Sequence, residues 1–273
     1  MKKILIIALA LFTLGTALQA ATMAKKDKKE KKELKWEWDG TLSGDTVIDN
    51  YLRNIDTLYR NVIEYRETIT AYDFRTDTLE INGKHYVLAY MLNKDGNFVT
   101  RGTVNWQCAQ AVMNAVNIAL DMTNASLSSA TAALALPGLG LKAFSFGKYV
   151  KGGPAVIAQG LKTVKTMRGQ WLDNSRTWKD LKKGAIADPS TLNYFDAAAL
   201  EKLNKCCYLK EIVQTDPTYQ AVVESQQTKS TEQREADAKA AAELLSKTAI
   251  APEVAGQQAD DISDDALMKA MEG

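Results

Sequence analysis

The chain has 273 residues, 46% hydrophobic and 25% charged, with 34 Lys and Arg against 33 Asp and Glu and a formal charge of +1. That is an ordinary globular composition, long enough for one large domain or two small ones with a sizeable core. The near-balance of net charge says nothing by itself, since its distribution matters more, and no nucleic acid partner is expected.

Residues 1–20 read as a Sec-type signal peptide: Lys2 and Lys3 form a positive start and Ile4 to Leu14 an apolar stretch too short to span a bilayer. Small residues place the cleavage point within 17–24. No cysteine follows it, so a lipid-modified N-terminus is not expected, and the mature chain is expected to be periplasmic or secreted. Residues 21–33 form a basic, flexible leader, because Lys-rich sequence of this kind has almost no apolar surface to bury. Trp36 and Trp38 mark entry into a folded helical domain over 34–248.

The first helix is predicted from Asp45 to Ala71, with Tyr51, Ile55, Leu58, Val62, Tyr65, Ile69 and Tyr72 alternating at spacings of four and three. Thr46, Thr57 and Thr78 each follow an aspartate and precede an aliphatic residue, a pattern that resembles bacterial envelope O-glycosylation acceptors. A β-meander is expected at about 78–100. Its signals are Asn82-Gly83, which suits a type I′ turn, a second turn at Lys94 to Asn97, and a third short run at Phe98 to Thr100.

From Thr103 to Leu141 the only charge is Asp121, so a long, central, buried helix is expected there. Gln110, Asn114, Asn117, Asp121, Asn124 and Ser128 run along it as a polar stripe. Such a stripe suits a hydrogen-bonded helix interface, a solvent-facing groove or a pore lining. A glycine-rich turn over 138–153 leads to a helix framed by Pro154 and Gly184. Its basic side chains Lys162, Lys165, Arg168, Arg176, Lys179, Lys182 and Lys183, with Trp171 and Trp178, form a candidate amphipathic binding face. The alternative is a core helix with a basic outer side. A further helix is predicted over Ser190–Val213 and a fifth from Asp216, poor in large apolar residues beyond Glu224; the tail over 249–273 is acidic and flexible.

In an oxidising compartment Cys108 is the candidate partner of Cys206 or Cys207, with buried reduced thiols the alternative. His85, the only histidine, has no nucleophile motif around it, and the vicinal cysteines suit tetrahedral zinc poorly. No catalytic residue, metal site or cofactor is assigned. The expected fold is mainly α, a four- or five-helix bundle with a small inserted antiparallel β-meander. The expected role is an exported, non-catalytic binding protein with an unidentified protein partner. An anionic envelope surface, lipid or glycan, is the second expectation, with residues 103–161 inserting into or lying on a bilayer. An enzyme without a sequence signature is the third.

Overall fold

The structure, a computed structural model, describes residues 35–252. The signal peptide at 1–20, the leader at 21–33 and most of the acidic tail lie outside the described residues. The fold is mainly α-helical with a small three-stranded antiparallel sheet inserted between helices, as the sequence predicts.

Helix α1 spans Thr46–Thr70, with Asp45 as its N-cap accepting from the amides of Val47 and Ile48. Six of the seven predicted seam positions form its buried face, Tyr51, Ile55, Leu58, Val62, Tyr65 and Ile69, while Tyr72 lies past the helix end, half-buried in the strand that follows. Strands β1 (Tyr72–Ile81) and β2 (Lys84–Asn93) follow as a hairpin. Asn82 and Gly83 both adopt positive φ, which the tight turn between them requires. Helix α2 covers Arg101–Ala135; a 3₁₀ turn over Leu136–Lys142 then reverses the chain into α3, Ala143–Gly184. Asn61 meets Asp121 and Asn54 meets Ser128, so α1 and α2 run antiparallel, while Trp178 on Asn105 makes α3 antiparallel to α2. These three helices form the bundle.

Three expectations are corrected. The helix predicted to start at Pro154 begins eleven residues earlier, and Pro154 sits inside it. A proline there has no N–H to offer the carbonyl of Val150, one turn back. That carbonyl accepts from the Tyr51 hydroxyl of α1 instead, at 3.0 Å. The helix predicted over Ser190–Val213 is three separate pieces: a 3₁₀ turn at Pro189–Leu192, helix α4 at Ala197–Lys205, and strand β3 at Tyr208–Glu211. Asn193 in the left-handed region ends the first piece, and Asp196 caps the second by accepting from the Ala199 amide. The third strand of the sheet is therefore β3, paired to β2 from Tyr86↔Glu211 to Ala89↔Tyr208. Phe98 makes only single bridges, to Leu92 and to Ile250.

Helices α5 (Tyr219–Gln227) and α6 (Thr231–Lys247) pack on β1. Beyond Glu224 the chain is a capped helix. Ser230 starts α6 by accepting from the Gln233 amide, and Ala238, Ala241 and Leu245 join the core beside Leu79, Tyr86, Leu88 and Phe98. Small alanines let α6 approach closely without the large apolar residues that periodicity detects.

Candidate docking surface

Helix α2 is not buried all round. One side packs on α1 and α3 through Val104, Ala111, Ala115, Ile118, Met122 and Ala125. Its other side carries Met113, Leu120, Leu127 and Leu134 at intervals of seven, with Val116 between the first two. All five are exposed, from 47% at Met113 to 82% at Leu134. A helix buried by its partners on one face and still apolar at heptad spacing on the other presents an unfilled coiled-coil seam. Over about 32 Å, the length of 21 residues of helix, it offers Leu knobs alternating with the smaller Val116, Thr123 and Ala130. Contiguous exposed apolar surface of this kind is found at protein–protein and membrane contacts alike, and the helical stretch Arg101–Gly184 contains a window long and apolar enough to cross a membrane, by length and composition.

The polar stripe lies along the α1 edge of this seam. Asp121 accepts from Asn61 Nδ2 at 2.7 Å, and the Ser128 hydroxyl, reached by Asn54 at 3.4 Å, donates back to the carbonyls of Asn124 and Ala125. Gln110 and Asn114 are half-buried, whereas Asn117 and Asn124 face outward beside the exposed apolar residues.

The basic helix divides differently. Trp171 and Trp178 point inward: Trp178 is 2% exposed, packs on Tyr208 at a ring distance of 4.4 Å and donates to Asn105. Lys162, Lys165, Arg176, Lys182 and Lys183 are exposed, while Arg168 and Lys179 are half-buried. The outer side of α3 is thus basic without the tryptophans that would anchor it in an interface.

Cys108, Cys206 and Cys207 are free and buried, so the expected bridge is not formed. Cys108 lies on α2 next to Ser175 of α3, while Cys206 and Cys207 belong to the core under the sheet. Burial pushes the Cys108 thiol up to about 12 and Cys206 to about 11, and raises Cys207 as well, so none is a nucleophile near neutrality. Of the threonines, Thr46 and Thr57 are exposed on α1; Thr78 is half-buried in β1, where Gln226 Nε2 donates to its hydroxyl at 2.6 Å.

His85 borders a shallow, open depression of about 450 Å³ lined also by Lys84, Glu211, Thr215 and Tyr219. Lys84 pairs with Glu211 at 3.0 Å, and the Tyr219 ring stands edge-on to the imidazole. Among the described residues no three His, Cys, Asp or Glu side chains converge as metal ligands.

Sequence reasoning missed the α2 seam because α2 reads as apolar nearly all round. The signal that distinguishes its two sides is the strict seven-residue spacing of Met113, Leu120, Leu127 and Leu134, which a straight helix does not need for its own core. Compared with known protein families, with curated proteins and with solved structures, the chain finds no match.

Proposed function

We propose that the chain is an exported helical binding protein whose partner docks on the outward seam of α2. The observation that supports this is the exposed heptad row Met113, Leu120, Leu127 and Leu134 on a helix already packed on its opposite side. Export rests on the positive start and apolar stretch of residues 1–20.

The occupant that suits the seam is an uncharged amphipathic helix of a partner protein. Between Met113 and Leu134 the outward residues are apolar, amide, hydroxyl or alanine, and the single charge, Asp121, is taken by Asn61. Such a surface offers nothing to pair a charged helix and would leave its ions desolvated, which selects against one. Asn117 and Asn124 at the edge fix register through hydrogen bonds rather than ion pairs.

A photo-crosslinking residue placed at Leu120 or Leu127 in cells tests the reading, with Arg176 on α3 as the control position. A discrete heavier adduct is expected from the two seam positions alone, and Leu127→Asp should abolish the adduct formed from Leu120. Equal adducts at Arg176, none at the seam, or an adduct of twice the chain mass would each overturn it. The same lanes read whether the chain is shortened within 17–24, as export requires.

A further inference from the structure

The 3₁₀ turn that joins α2 to α3 caps one end of the bundle, away from the sheet. It is more apolar and more exposed than the seam that leads to it. Leu141 and Phe144 are 87% and 85% exposed, next to Leu134. Across 127–144 only Ala132 is buried, and Lys142 is the only charged residue. The turn itself contains Pro137, Gly138 and Gly140, the last with φ +58, so the chain reverses as a blunt protrusion rather than a groove.

A ring of cations lies immediately behind it. Lys142, Lys148 and Lys151 are all exposed, and no acidic residue occurs between Leu134 and Gly153. Lys148 Nζ lies 4.5 Å over the Tyr149 ring, and Tyr149 in turn packs edge-on against Trp36, with its hydroxyl donating to the Glu37 carbonyl. Lys142 reaches the Ser43 carbonyl at 3.2 Å. Of the acids in the neighbouring segment, Asp45 caps α1, Asp39 accepts from the Thr41 amide and lies near enough to Lys148 to feel its charge, and Glu37 is exposed.

We infer that this turn is a docking tip for an anionic lipid bilayer: Leu134, Leu141 and Phe144 enter the boundary between headgroups and acyl chains, and Lys142, Lys148 and Lys151 meet the lipid phosphates. An apolar end ringed by lysines matches the two forces an anionic interface supplies, apolar transfer and surface potential. Lysine stems lie along apolar surface while their ammonium groups stay with the phosphates. Insertion is shallow. Ser126, Ser128, Ser129 and Thr131 lie within two or three turns of Leu134, and their desolvation limits depth to the last turn of the hairpin. A second copy is a poor occupant for the same tip, because two lysine rings would face each other. The tip shares Leu134 with the end of the α2 seam proposed for a protein partner but is carried by Leu141, Phe144 and the lysines beyond it, and either proposal stands without the other.

Because the native thiols are buried, Leu141→Cys in the full chain can be labelled selectively with an environment-sensitive fluorophore. Lys182→Cys, at the opposite end of α3, is the control. With vesicles of phosphatidylcholine and phosphatidylglycerol, emission at position 141 is expected to shift to the blue and rise several-fold. Position 182 should stay unchanged, and phosphatidylcholine alone should give little effect. Adding Lys148→Gln and Lys151→Gln is expected to weaken vesicle affinity on the order of tenfold or more, since each lysine near an anionic surface contributes to binding. No shift at 141, equal shifts at 141 and 182, or equal response to neutral vesicles would overturn the proposal. A shift that depends on protein concentration without vesicles would assign the tip to a second copy instead.

Discussion

Asp216 is held at both carboxylate oxygens, by Lys210 Nζ on one and by the amide and hydroxyl of Thr218 on the other, at 2.9 and 2.6 Å. The bond from Lys210, then those from Thr218, lower its carboxyl from the ordinary 3.8 to about 2. An unfolded chain takes up that proton near 3.8, whereas the native chain resists until about 2. The stabilisation is therefore complete above the ordinary value and lost as pH falls towards 2. Asp216→Asn is expected to unfold at lower denaturant than the parent at neutral pH, with the difference closing across that acid window. A difference that stays constant with pH would show that the ion pair is not its source. The sequence placed a helix start at Asp216; the helix begins at Tyr219, with Thr218 at its cap position and Asp216 in the turn before it. Its partner was not legible, because Lys210 belongs to a strand that the spacing had read as helix and reaches back across the loop at 212–215. His85 and the cysteines were assigned no chemistry from sequence, with buried thiols one of the two readings for the cysteines, and burial raises all three thiols above their ordinary range.

Helix α3 crosses α1 at a slot made by two neighbouring residues. Pro154 frees the Val150 carbonyl, and Gly153 leaves room for the Tyr51 ring whose hydroxyl occupies it. A Cβ on Gly153 would lie 1.7 Å from that hydroxyl oxygen and 2.7 Å from the ring carbon bearing it. Gly153→Ala is therefore expected to destabilise by about 1–3 kcal/mol or more through overpacking. Tyr51→Phe should cost about 1–3 kcal/mol by leaving a buried acceptor without a partner. Because both changes act on the same contact, the double variant should fall short of the sum by ~0.5 kcal/mol or more, read by urea melts of all four proteins. Additive effects would mean that hydroxyl and slot are independent. The α1 seam was legible from Tyr51 to Ile69, since its apolar positions repeat on a polar background, and overran the helix only at Tyr72. Pro154 was legible as a helix proline but misassigned to a first turn, because the Tyr51 hydroxyl that donates to the freed Val150 carbonyl lies 99 residues earlier in sequence. The outward row of α2 was hidden by the apolar residues of its inner side.

At the scale of the molecule, the bundle and the sheet are assembled from contacts of different reach. Helices α1, α2 and α3 pack on one another, and the sequence marked each of them, though it started α3 eleven residues late. The sheet is completed by β3 at Tyr208–Glu211 and by Ile250 beside Phe98, whose amide donates to the Ala249 carbonyl at 2.9 Å. Arg101 fastens the two parts by donating to the carbonyls of Leu203 and Cys207 while lying 4.3 Å over the Tyr208 ring. No local pattern announces such pairings, which is why the region after Gly184 was the poorly read part of the chain. In refolding followed by pulsed hydrogen exchange, amides of α1 and α3 are expected to gain protection before those of β3 and Ala251, since near contacts close smaller loops. Simultaneous protection throughout would indicate a single cooperative step. The late pairings also have a consequence for synthesis. A chain made N-terminus first can close its bundle once Gly184 is complete, yet the β2 edge at Tyr86–Ala89 stays open until β3 follows, and Phe98 waits longer still for Ile250. For that interval the nascent molecule has a finished, lysine-ringed tip at one end and an unsealed hydrogen-bonding edge at the other.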